Sequence, residues 1–363
     1  MLRSVPRPVL RRTLLLALAA LPLCAQLSPD TVGEIDRLTA AQMTKDSIPG
    51  LSIAVAVNGE LRWQQGYGLQ DLENNVPATA QTVYRLGSVS KPITAVAAMQ
   101  MWEQGRLDLN APIQRYVPSF PLKPQGPITV GLLLAHLGGI RHYRGDDELD
   151  TVRHYGDILD ALPIFQNDPL VAEPGTKYSY STYGYNLAGA AVQAVSGQRF
   201  KDYVQQRICL PAGMTTLRDD DRWEIVPHRT RFYAKRADGT VFNSGYTDTS
   251  NKIPGGGMIA APADLVKFAL AVRSGTLLKT ATLDVMWAPQ RLKNGRVSSY
   301  GYGWDLIEKN GHKLVGHSGG QQGCSTMLLM DLATGNVVAV MANMDQVGAR
   351  ALAEGILGLL DGN

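Results

Sequence analysis

The chain has 363 residues, 45% of them hydrophobic and only 18% charged, and neither an internal repeat nor a low-complexity tract interrupts it. That make-up allows a sizeable core and excludes a disordered chain or a solenoid array. The net charge of +3 rests on four arginines at the amino terminus, and without them it is −1, which excludes a nucleic-acid surface.

Residues 1–25 carry Arg3, Arg7, Arg11 and Arg12, no acid, and an apolar run from Leu14 to Leu23. The run is too short to span a membrane, so the segment reads as a signal peptide cleaved after Ala25. Export to the periplasm or the exterior follows, with no membrane span in the mature chain. An Arg-rich, acid-free start also fits an organelle transit peptide, and Cys24 is a poor match to a lipoprotein acceptor. Cys209 and Cys324 remain after processing and read as unpaired thiols, since two cysteines make no disulfide framework.

Ser28 is placed to cap a helix over about Thr31–Lys45, ended by Pro49-Gly50. Leu51–Val57 and Leu61–Gly68 read as strands joined by an Asn58-Gly59 hairpin turn. A helix that is apolar nearly all round opens near Leu86-Gly-Ser-Val-Ser-Lys91 and closes at Gly105, which marks it as central. Shorter helices are expected at Thr129–Leu137, Tyr183–Val195, Phe200–Cys209 and Ala263–Val272. From Gly303 the pattern turns to strands: Gly303–Glu308, Lys313–Ser318, Cys324–Asp331 and Val337–Ala342, with a turn at Asn310-Gly311. An amphipathic helix over Gly348–Leu360 ends the chain. The fold class is therefore α+β: an antiparallel sheet built from both chain ends, flanked by the terminal helices. Within one domain, 26–363, the α/β part takes 26–110 and 255–363, and a mainly helical inserted region takes 111–254.

Ser88 and Lys91 carry the sharpest chemical signal. Ser-x-x-Lys at a helix start puts both side chains on one face, about one turn apart. Burial and the helix dipole both destabilise the ammonium, which frees the amine to take the serine proton. The backbone amide of Ser88 can then hydrogen-bond a developing oxyanion. The spacing alone recurs by chance in chains of this length. Tyr180, in Tyr178-Ser-Tyr-Ser-Thr182, is a second candidate base, because a neighbouring lysine lowers a phenol's pKa. Gly316-His-Ser-Gly-Gly320 fits the nucleophile elbow of α/β-hydrolases, with Ser318 as rival nucleophile. That reading fails: the residues beyond it form strands rather than a helix, and no histidine follows His317. A polar strand end suited to a substrate backbone remains. His136 is expected to hold a loop through a backbone hydrogen bond, and His142, His154, His228 and His312 to be ordinary polar positions. Asp146-Asp-Glu148 reads as a solvated loop, and Gly255-Gly-Gly257 as a close backbone approach or a tight turn. No Cys/His spacing fits zinc and no acidic loop fits calcium, so neither a metal nor a cofactor is expected.

In this order, Ser88-Val-Ser-Lys91, Tyr180-Ser-Thr182 and His317-Ser-Gly319 resemble the nucleophile, Tyr-x-Asn and Lys-Thr-Gly motifs of the serine beta-lactamase and penicillin-binding protein superfamily. The resemblance covers nearly all of the mature chain and is nearest to class C beta-lactamases and the related peptidases and esterases. Longer stretches, Ala135-His-Leu-Gly-Gly-Ile-Arg-His-Tyr143, Pro174–Tyr185 and Arg229-Thr-Arg-Phe-Tyr233, are similar to mitochondrial serine beta-lactamase-like proteins and their bacterial relatives. The resemblance implies an acyl-enzyme on Ser88, with Lys91 and Tyr180 sharing the proton transfers in an order left open. It implies an oxyanion hole from the amides of Ser88 and Gly320, and substrate contacts from Thr182, His317, Ser318, Gly319 and Gly320. Thr182 departs from the usual asparagine and His317 from the usual lysine, leaving only partial positive charge at neutral pH. Both departures weaken the case for antibiotic hydrolysis and are tolerable in a peptidase or esterase; a peptidase or amidase acting on peptides or small acyl substrates is the leading expectation. A carboxylesterase or weak beta-lactamase, a non-catalytic sensor, or a self-assembling structural protein are the alternatives, and a homo-oligomer is left open.

Overall fold

The computed structural model describes residues 26–360; the signal segment 1–25, with Cys24, and residues 361–363 lie outside the described residues. Helix α1 (Pro29–Asp46) begins where expected, with Ser28 Oγ accepting the amide of Thr31 at 3.1 Å. Strands β1 (Gly50–Val57) and β2 (Glu60–Asp71) follow, and both turn residues between them, Asn58 and Gly59, take positive φ. That is the mirror-image turn whose twist suits a hairpin. A short edge strand, β3 (Val76–Pro77), leads to α2 (Ser90–Glu103). The middle of the chain is loops and short turns around α3 (Thr182–Ser196), and α4 (Pro262–Arg273) returns to the sheet. The chain ends with β4 (Asp305–Lys309), β5 (His312–Gln321), β6 (Cys324–Asp331), β7 (Val337–Ala342) and α5 (Ala349–Leu360).

The seven strands form one antiparallel sheet in the order β3-β2-β1-β7-β6-β5-β4. First and last strands are neighbours, with Ile53 opposite Val340, so the sheet closes only when both chain ends are in place. Its central strands are apolar on both faces. Ile53, Val55, Leu329, Val338 and Val340 pack under α1 and α5, while Ala54, Leu328, Met330, Ala339 and Met341 join the core around α2, α3 and α4. Continuous apolar runs are what a strand covered on both sides needs.

Three local expectations change. The helix expected over Thr129–Leu137 covers only Val130–Leu134, because His136 turns the chain at φ +58. Strand β4 starts at Asp305 rather than Gly303, since Gly303 (φ +86) bends against Ala95 of α2. Asp146 and Asp147 are exposed, but Glu148 is held by Arg141 at 2.6 Å and belongs to a short helix, Asp146–Leu149. Cys209 and Cys324 are buried, unpaired thiols. Among the described residues no helix is long and apolar enough to cross a membrane.

Candidate active site

Ser88 lies in a single 3-10 turn, Gly87–Val89, that leads into α2. Gly87 has φ +51, and a Cβ there would stand 2.8 Å from the amide nitrogen of Gly320. On the facing strand, a Cβ on Gly319 would meet the Leu86 carbonyl oxygen at 1.9 Å and the Ser88 nitrogen at 3.2 Å. Two glycines thus let β5 press against the turn, bringing the amides of Ser88 and Gly320 side by side. Ser88 is half-buried; Ser318 and Gly320 are exposed, and Gly319 is buried.

Helix α2 is buried on every side from Ser90 to Met99, so Lys91 enters the interior with it. Its Nζ is 2.8 Å from Ser88 Oγ, 3.2 Å from Thr182 Oγ1 and 2.7 Å from the Gly255 carbonyl oxygen. No carboxylate among the described residues balances it. Burial first, and then the charge of Lys252, hold its pKa well below the usual lysine value. Gly255 has to be glycine, because a Cβ would sit 2.5 Å from the Thr182 methyl. Both readings of that glycine run are observed, since Gly257 also closes the single helical turn Ile253–Gly256. Thr182 is the first residue of α3, behind the N-cap Ser181, whose Oγ accepts the Gly184 amide at 2.9 Å.

Tyr180 is brought to the same point. Its hydroxyl lies beside the Ser88 side chain, and Lys91 Nζ lies 4.6 Å from its ring centre. The expectation of a lowered phenol pKa is corrected: burial pushes Tyr180 up, and the nearby Ser88 side chain offsets only part of the rise. His317 is corrected too. It is 2% exposed, with Nδ1 2.6 Å from the Ser318 carbonyl and Nε2 2.9 Å from the Tyr300 hydroxyl. Burial and the nearby Lys91 lower its pKa to about 3, so it is neutral rather than partly charged. It braces the strand from behind, while Ser318 and Gly320 face the opening.

Several residues outside the three motifs meet here. His136 accepts the Ser181 amide at 3.1 Å on Nδ1, as its loop-holding role requires, and its ring lies 4.2 Å from that of Tyr180. His142 accepts the Thr182 amide at 3.3 Å, and the Tyr143 hydroxyl lies near the Thr182 side chain. Both stand in the Ala135–Tyr143 stretch, whose resemblance was the one signal available. Tyr300 and Lys252 gave none. Lys252 is fully buried, with its Nζ bonded to the Leu149 carbonyl and 5.2 Å from the Tyr143 ring. Among the described residues no cluster of histidine, cysteine or acidic side chains could hold a metal ion.

The sequence profile of the family described as Beta-lactamase matches residues 35–360. The human mitochondrial serine beta-lactamase-like protein LACTB is 28% identical, over 85% of this chain and 76% of its own length. Penicillin-binding protein 4* of Bacillus subtilis is 28% identical over 81% of this chain and 68% of its own. Among solved structures, the octameric penicillin-binding protein homologue from Pyrococcus abyssi superposes with a TM-score of 0.79 at 25% identity, covering 92% of this chain and 78% of that one. D-amino acid amidase from Ochrobactrum anthropi SV3 gives 0.81 at 24%, covering 92% and 99%, and shares the fold.

Proposed function

The chain belongs to the beta-lactamase family, and on that footing we propose that it is a hydrolase forming an acyl-enzyme at Ser88, acting as a peptidase or amidase. The observation that carries the reading is Lys91: a fully buried amine 2.8 Å from Ser88 Oγ with no counter-charge among the described residues. A neutral amine has two N–H donors and one lone pair. Thr182 and Gly255 take the donors, which leaves the lone pair for the Ser88 hydroxyl.

The steps follow from that arrangement. Lys91 Nζ accepts the Ser88 proton as Oγ attacks the substrate carbonyl carbon. The amides of Ser88 and Gly320 hold the oxyanion, each such donor giving about 10²–10³ in rate. Tyr180, protonated because burial keeps it so, passes a proton from Lys91 to the leaving nitrogen or oxygen and recovers it. Water then attacks the acyl carbon by the same route in reverse. Neutral His317 gives the strand no cation for a carboxylate on the leaving-group side. This favours substrates that have no free carboxylate there, and disfavours beta-lactams.

The amidase among the structural neighbours supports an amide substrate, and the solved hydrolase EstCE1, a neighbour with promiscuous acyltransferase activity, keeps an ester alternative. The octameric relative supports a homo-oligomer, and the reading of residues 1–25 supports export. The test is intact-mass analysis after exposure to a fluorophosphonate. A single adduct on the wild type and none on Ser88→Ala is expected. An adduct that survives in Ser88→Ala, as at Ser318, overturns the assignment, and no adduct on either folded protein returns the chain to a sensor or structural role.

A further inference from the structure

Strand β5 pairs with β4 only from His312 to Gly316, so beyond that point its edge on the β4 side is open among the described residues. An extended substrate laid antiparallel along it runs from the Gln321 end toward the His317 end. With its scissile carbonyl at the amides of Ser88 and Gly320, its acyl side extends past Gln321. A cavity of about 500 Å³ opens there, walled by Arg85, Arg222, Arg229, Arg231 and Phe232 among others, with Asp220 the one carboxylate in its lining. It adjoins the strand end directly: Arg85 Nη1 donates to the Gln322 carbonyl at 3.0 Å. Gly323 lies so close to Phe232 that a Cβ would meet the Phe232 Cβ at 2.3 Å.

The charges on this wall do not cancel. Arg85 is closed off, paired with Asp220 at 2.8 Å and stacked 3.9 Å over the Phe232 ring. Arg222 stands 3.8 Å from Asp248, and Arg231, 60% exposed, 3.7 Å from Asp71. Among the described residues Arg229 reaches the Asp220 carboxylate alone, at 3.9 Å, which Arg85 already holds. Its Nη2 donates to the Asp221 carbonyl, while its Nε is hidden from water and has no acceptor among the described residues. Among the described residues these four guanidiniums reach three carboxylates, with Asp220 shared by Arg85 and Arg229, so one positive charge is in excess.

We propose that this cavity is an acyl-side subsite for a carboxylate-bearing side chain, with Arg229 and Arg231 as its anchors, so that the enzyme acts on acidic acyl groups. With Nε enclosed, it is the terminal nitrogens of Arg229 that can offer a carboxylate parallel bonds, and a recessed cavity screens the pair less than open surface does. Neutral His317 at the other end of the edge gives the opposite preference there, so the cleft is polarised along the substrate. The inference rests on the acyl-enzyme reading above.

The test compares 4-nitrophenyl hydrogen adipate with its methyl ester, two substrates that differ by one charge and share a leaving group. Acylation is read as nitrophenol release and as adduct mass, with Ser88→Ala as the background. The wild type is expected to favour the acid about tenfold in kcat/KM, the lower range for a charge-assisted bond, and less so as salt rises. Arg229→Gln brings the ratio to about one, Arg229→Glu inverts it, and Arg229→Lys retains part of it. A wild-type ratio at or below one, or a ratio that Arg229→Gln leaves alone, overturns the subsite. Fluorophosphonate labelling of Ser88, run on each protein, separates the two readings. Labelling without acylation by either ester sinks the subsite alone, whereas an unlabelled wild type sinks the hydrolase reading beneath it. Arg231→Gln, at an exposed position, supplies a second variant should Arg229 prove needed for folding, and its ratio is also expected to fall.

Discussion

Lys91 bonds the Ser88 hydroxyl and Tyr180 lies beside it, and their surroundings push their pKa values apart. Burial without a partner charge lowers the amine, and burial of the phenol raises Tyr180, so the pair is set as neutral base and neutral acid. The base works only when deprotonated. Activity therefore rises with pH through the lowered Lys91 value and stays level above it, with no falling limb from Tyr180 in the neutral range. Tyr180→Phe is expected to slow acylation at least about 100-fold yet keep that rising limb. Losing the limb in the kcat/KM profile of this variant would make the tyrosine the base. Lys252 gives a second handle on the same profile. Its own pKa is lowered to about 7, chiefly by burial, and its charge below that pH opposes protonation of Lys91. Lys252→Met removes the repulsion, so the Lys91 value rises and the limb moves to higher pH. A limb that stays put or moves down would show that burial alone sets the base.

The turn before α2 and strand β5 act as a unit because nothing larger than hydrogen fits between them at Gly319. Gly319→Ala places a methyl 1.9 Å from the Leu86 carbonyl oxygen, and either the strand or the turn has to withdraw. The expected result is about 1–3 kcal/mol of lost stability, the usual cost of overpacking. A fall in turnover of about 100-fold is expected beside it, as the two amides part. Gly320→Ala is the control, since no atom lies within 4 Å of its added methyl and its stability should match the wild type. Urea melts and turnover on one ester read both variants, and equal stability in the two would remove the close-packing argument. The same elements show what a sequence can disclose. Cys324–Asp331 and Val337–Ala342 have the bounds the apolar runs suggested, because strands buried on both faces leave an unbroken hydrophobic record. Ser88 and Lys91 were legible for a similar reason, being one turn apart on one element. The pocket wall was not. Arg141 joins Glu148 and Asp168 across 7 and 27 residues of irregular chain, and the roles of His142, Tyr300 and Lys252 come from contacts of that kind. Neither motif spacing nor periodicity records a partner brought in by the fold, and none records that burial would neutralise His317.

At the scale of the molecule, the site and the chain ends share one sheet. Ser88 and Lys91 lie on the face covered by α2, α3 and α4, while α1 and α5 cover the other, and β1, β6 and β7 contribute side chains to both cores. Strand β7 sits between β1 and β6, so releasing the carboxy-terminal segment uncovers the middle of the sheet rather than an edge. Helix α5 holds that segment down with Leu352, Ile356, Leu357 and Leu360, all nearly inaccessible to water. At about 1.5–3 kcal/mol for each such side chain, their burial is comparable to the whole stability of about 5–15 kcal/mol that a folded domain retains. Ile356→Ala is therefore expected to cost about 2–5 kcal/mol although it lies across the sheet from Ser88. If the two faces unfold together, fluorophosphonate labelling of Ser88 and the far-UV circular dichroism signal disappear at one urea concentration, in the wild type and in the variant, and both midpoints move down by the same amount. Labelling that fails well before the helical signal would instead make the cleft a separate, weaker unit. The cores would then be independent, and the meeting of chain ends would matter to assembly of the sheet but not to the chemistry it carries.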